Sequence, residues 1–82
     1  MNATLLADGF EDAFVGFGRR FDKIVAVYSY DRCVEILVKQ SRMSIDEAIE
    51  YMEFNVVGAY VGDHTPIFMI EEKIDDRESV EH

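Results

Sequence analysis

One cysteine, one proline and no tryptophan stand among 82 residues. A lone cysteine excludes an internal disulfide framework. Basic residues are also scarce: eight Lys and Arg face 17 Asp and Glu, for a net charge of −9. A field of that sign argues against direct binding of nucleic acid, which relies on Lys and Arg to neutralise phosphates. No stretch approaches the ~18 consecutive apolar residues of a membrane span, and the Met1–Asn2 start opens no leader pattern. These absences lead to the expectation of a soluble, cytoplasmic protein without membrane contact. His64 and His82 are the only histidines, and neither sits in a metal-ligand spacing. No metal or cofactor is therefore expected.

Hydrophobic residues make up 49% of the chain, enough to build a core. The length suits one small domain, expected over residues 1–72. The last stretch, Glu71–His82, reads EEKIDDRESVEH, with six acids and no aromatic residue. Residues 73–82 are expected to be an acidic flexible tail. Two readings of Glu81-His82 stay open: native residues, or the start of a purification tag. Charge divides unevenly. Residues 19–42 carry six bases and three acids, whereas residues 43–82 carry eleven acids and two bases. Such asymmetry speaks about partners and not about fold.

Ile24-Val25-Ala26-Val27-Tyr28 is rich in β-branched residues and predicts a strand buried on both faces. Ala13-Phe14-Val15-Gly16-Phe17 predicts its hairpin partner, with Gly16 and Gly18 permitting a bulge. A helical reading of residues 9–20 stays open beside it, because Phe10, Phe14, Phe17 and Phe21 also fit helical spacing. Two glycines inside such a helix cost roughly 1 kcal/mol each, which favours the strand. Ser29 caps a predicted helix over Tyr30–Ser41, with Tyr30, Cys33, Val34, Leu37 and Val38 on its apolar face. Ser44-Ile45-Asp46-Glu47 is a capping box and opens a second helix. Its expected inner stripe is Ile45, Ala48, Ile49, Met52, Val56 and Ala59. Thr65–Ile70 predicts a last short strand, for which Pro66 suits the start. The expected fold is α+β in the order β-β-α-α-β: a three-stranded sheet with two helices packed on one face.

The second helix carries two further features. Asp46, Glu50 and Glu53 form an acidic stripe, and Tyr51 and Phe54 fall opposite the inner stripe at about 100° per residue. Exposed aromatics clustered in this way mark an interface. Tyr51, Phe54 and Gly58 are therefore the candidate self-association residues of a homodimer, with Gly58 allowing close approach. The Arg19-Arg20-Phe21 turn is the one compact basic and aromatic cluster, and such a group suits a phosphate, a carboxylate or a stacked base. Cys33 lies on an apolar helix face and reads as a small hydrophobe. Asn55 is an oddity inside an apolar helix, fit to bond nearby backbone or to set an interface register.

Glu53-Phe54-Asn55-Val56-Val57-Gly58-Ala59-Tyr60-Val61-Gly62, followed by Thr65-Pro66-Ile67-Phe68, resembles the C-terminal signature of a family of small proteins in tailed-phage genomes. Asp8-Gly9-Phe10, Gly16-Phe17-Gly18-Arg19-Arg20 and Ala26–Cys33 are similar to the same family. The family more often has aspartate where Ser29 stands. The resemblance covers roughly residues 8–70. It implies a phage source and a host-cell cytoplasm, and no mechanism.

Two functions follow as expectations. The first is a non-enzymatic accessory protein that binds and inhibits or redirects a host factor, in an anti-defence or host-takeover role. Its acidic surface would mimic nucleic acid on a basic host protein, with Asp46, Glu50 and Glu53 making the contact. The second is an oligomeric binder of a small anion such as a nucleotide, held by Arg19, Arg20 and Phe21.

Overall fold

The computed structural model describes residues 6–71. The expected tail at 73–82 and the open reading of Glu81-His82 lie outside the described residues. A 3-10 turn at Glu11–Ala13 leads into β1 (Phe14–Arg20) and β2 (Lys23–Ser29). Helix α1 (Tyr30–Gln40) and helix α2 (Ile45–Tyr51) follow. A π-helical segment (Met52–Val57) then continues α2, and β3 (Ile67–Met69) comes last. The architecture is the expected α+β fold.

The sheet has the order β1-β2-β3, with β1 antiparallel and β3 parallel to β2. The return to a parallel edge needs a long crossover, and the two helices supply it. Residues 9–20 settle as turn and strand. The register of β1 slips between Phe14 and Gly16, a bulge that leaves Phe14 opposite Tyr28 and Phe17 opposite Ala26. Both phenylalanines therefore share the face of Tyr28 and Ala26. An aromatic row crosses all three strands there. Phe17 meets Phe14 edge-on at 5.2 Å, Phe14 meets Tyr28 edge-on at 5.6 Å, and Tyr28 stacks on Phe68 at 5.7 Å. The Tyr28 hydroxyl accepts from the Ala7 N–H at 2.8 Å, so this buried ring keeps a partner for its polar end.

β2 is the central strand, and apart from Ile24 at its start, which is 43% exposed, it is buried on both faces as its composition predicts: Val25 and Ser29 on one, Ala26 and Tyr28 on the other. Both helices pack on the second of these faces. Ala26 and Tyr28 join Phe10, Ala13, Cys33, Leu37, Ala48 and Met52 in one core. Ser29 ends β2 and caps α1 without a linker, accepting from the Arg32 N–H at 3.3 Å. Its hydroxyl in turn donates to Glu71 at 3.3 Å. No helix among the described residues is long and apolar enough to cross a membrane.

The second helix departs from its expected inner stripe. Ala48 and Met52 are buried, but Ile45 and Ile49 are 63% and 40% exposed and Ala59 is exposed. Two causes account for this. The helix first meets the core at Ala48, so Ile45 in its first turn stays uncovered. Past Tyr51 the backbone then widens to i→i+5 bonding, which adds about one residue per turn. Val56 still packs against the core, but the 3.6-residue stripe no longer reaches Ala59.

Candidate functional site

The capping box at Ser44 holds the start of α2. Ser44 Oγ accepts from the Glu47 N–H at 3.1 Å, and Glu47 Oε1 accepts from the Ser44 N–H at 2.9 Å. Before it, α1 ends without a glycine. Arg42 takes the left-handed conformation instead, with φ of 59°, and the Met43 N–H returns to the Leu37 carbonyl. This tight reversal sets the loop between the helices against the outer side of α2. An open hollow of about 550 Å³ results, walled by Arg42, Met43, Glu47, Glu50, Tyr51 and Phe54. Tyr51 is partly exposed and Phe54 is 76% exposed. Asp46 is also exposed, on the first turn of the same helix.

The structure brings Glu50, Tyr51 and Phe54 together at this hollow. It directs Glu53 elsewhere: its carboxylate accepts from the Tyr30 hydroxyl at 2.7 Å, which ties the π segment to α1. Partial burial, that hydrogen bond, and the charges of Glu53 and Asp31 push the Tyr30 phenol up to about 12. Gly58 has a local reason to lack a side chain. A Cβ there would lie 2.8 Å from the Glu53 carbonyl oxygen, inside the wide π turn. Asn55 is exposed, and its amide has no hydrogen-bond partner among the described residues.

The arginine cluster is divided by strand geometry. Arg19 and Arg20 are consecutive in β1 and point to opposite faces. Arg20 donates to the carbonyls of Asp63 and Thr65, both at 3.2 Å. It thereby clamps the loop that precedes β3. That loop is also tied from within. Thr65 Oγ1 donates to the Gly62 carbonyl at 2.6 Å and accepts from the Val61 N–H at 2.9 Å. The Arg19 side chain has no hydrogen-bond or ion-pair partner among the described residues. Phe21 forms the hairpin tip with Asp22, 91% exposed and with φ of 58°. Two-residue hairpin turns normally place glycine at such a position.

Chemistry elsewhere is sparse. Cys33 is fully buried, and burial pushes its thiol up to about 11. It is therefore a thiol and not a thiolate at neutral pH. His64 Nδ1 lies 3.5 Å from the Ile24 carbonyl. Among the described residues no group of three or more His, Cys, Asp or Glu is placed to hold a metal ion. One ion pair is present among them, Lys23 with Asp22 at 3.9 Å. Most surface charge is thus left to act outward.

Three contributions escaped the sequence reading: Arg42 and Met43 as walls of the hollow, and Arg20 as a loop clamp. The glycine-free run Ser41-Arg42-Met43 carried no local marker of the first two. Comparison with protein-family models, curated proteins and solved structures gives no match.

Proposed function

We propose that this chain is a non-enzymatic interaction protein whose α2 face docks on a basic surface of another protein. The observation that carries this reading is the pair Tyr51 and Phe54, left exposed beside Glu47 and Glu50 at an open hollow. Aromatic anchors rimmed by charge are the usual make-up of an energetically central contact. Arg42 is the one cation on the rim, against Asp46, Glu47 and Glu50 on the same helix. The net charge of −9 adds long-range steering toward a positive groove, with a strong salt dependence. The buried, protonated Cys33 supports a role other than thiol catalysis.

The resemblance to small tailed-phage proteins adds a setting. The partner is then a host factor in the cytoplasm with a basic, nucleic-acid-facing surface, and docking inhibits or redirects it. An anion held by Arg19, Arg20 and Phe21 is the weaker reading. Arg20 is already engaged by two carbonyls, and Arg19 lies on the other face of the sheet.

The test is capture from host lysate by the wild type and by Asp46→Lys/Glu50→Lys, at low and at high salt. The expected result is a basic protein retained by the wild type at low salt and lost with either the variant or the salt. Equal retention by both chains overturns the reading.

A further inference from the structure

The hairpin tip and the α2 hollow are complementary, and every copy of the chain carries both. The tip presents Phe21, the most exposed large apolar side chain among the described residues, at 91%. It is held out on a positive-φ backbone that a phenylalanine adopts only under strain. Arg19 and Lys23 flank it from opposite faces of the hairpin, because Lys23 pairs with Arg20. The Arg19 side chain has no partner among the described residues, and the Lys23–Asp22 contact is long at 3.9 Å. The tip is therefore an aromatic knob in a net positive setting. The hollow is its converse: about 550 Å³ of open space with Tyr51 and Phe54 on its wall and Glu47 and Glu50 beside them.

We propose that the hairpin tip of one copy seats in the α2 hollow of a second copy, with Phe21 against Tyr51 and Phe54 and with Arg19 facing Glu47 and Glu50. A two-fold arrangement fills both hollows at once and closes the assembly as a dimer. It covers the most exposed aromatics of the tip and of α2 together. It also brings opposite charges into contact, whereas pairing α2 with its own copy sets Glu50 against Glu50. Gly58 is not needed for close approach in this arrangement, in keeping with its use inside the π turn. A basic partner seeking the same hollow competes with the second copy.

The inference does not need a host partner, and its experiment uses the purified full chain alone. Its failure is thus separate from a failure of lysate capture. Sedimentation velocity at micromolar concentration is expected to give a dimer at low salt that dissociates as salt rises. Phe21→Gly suits the backbone of the turn, so the fold survives while the ring is lost; an unchanged far-ultraviolet circular dichroism spectrum checks this. That variant is expected to raise the dimer dissociation constant roughly thirtyfold, as removal of a central aromatic anchor does. Glu50→Arg is expected to weaken the dimer as well, and Arg19→Glu combined with Glu50→Arg in one chain to restore it. A monomeric wild type overturns the proposal. So does a dimer that Phe21→Gly leaves intact, or a charge swap that restores nothing.

Discussion

The two helices begin alike and end differently. Each opens on a serine cap, at Ser29 and at Ser44, and each has an amphipathic pattern. Helix α1 holds its 3.6-residue register for eleven residues and buries Cys33 and Leu37 beneath partly covered Val34 and Val38. The second helix keeps α geometry for seven residues, buries Ala48, and then widens into the π segment that buries Met52. It leaves Ile45, Ile49, Tyr51 and Phe54 facing outward in an acidic setting. One helix thus spends its apolar side on folding, and the other leaves apolar surface exposed.

The contrast is strongest within the second helix itself. Met52→Ala removes a fully buried side chain from the core and should cost about 2–5 kcal/mol. Phe54→Ala, two residues on, removes an exposed ring and should change stability by less than about 0.5 kcal/mol. Urea unfolding of both variants checks the pair. Similar losses from the two would show that Phe54 packs within its own chain.

Gly58→Ala tests the π turn. Alanine ordinarily favours helical backbone, but its Cβ here would meet the Glu53 carbonyl at 2.8 Å. We expect a loss of about 1–3 kcal/mol, as for other overpacked sites. A gain in melting temperature would show that Gly58 is free to carry a side chain.

Arg20→Ala should cost about 1–2 kcal/mol through its two hydrogen bonds to the loop before β3. Arg19→Ala should be close to neutral for folding. The difference between neighbours sharpens the contrast between the part of the hairpin that braces the fold and the part that faces outward.

A further effect appears at alkaline pH. Unfolded Cys33 and Tyr30 give up protons near their ordinary values of 9.0 and 10.0, whereas the folded groups hold theirs to about 11 and about 12. The folded state therefore binds more protons in that window. Stability is full below pH 9 and declines as pH rises through 9 to 12. Tyr30 is only partly covered, so water screening reduces its share and Cys33 dominates. Cys33→Ala should flatten the lower part of the decline, read as melting temperature against pH.

Much of this fold was legible in the sequence because its signals are local. The β-branched run of β2, the caps at Ser29 and Ser44, and the glycines of β1 each set one element through backbone sterics or a single hydrogen bond. What was not legible depends on contacts far apart in the chain. The π widening past Tyr51 is one such feature, and nothing in that stretch alone marks it. The role of Arg20 depends on Asp63 and Thr65, more than forty positions away. The exposed aromatics of α2 were legible from helical period, but the hollow beside them was not. It needs the left-handed turn at Arg42 to bring the inter-helix loop alongside.

On the proposed function, the outer face of the second helix, and not that of the first, meets a partner. A photoreactive phenylalanine analogue placed at position 54 or at position 35 of α1 tests this most directly, since both sites are exposed. Irradiation in host lysate at low salt is predicted to give a salt-sensitive adduct with a basic protein from position 54 and none from position 35. Adducts from position 35 alone, or none from position 54, would contradict the claim.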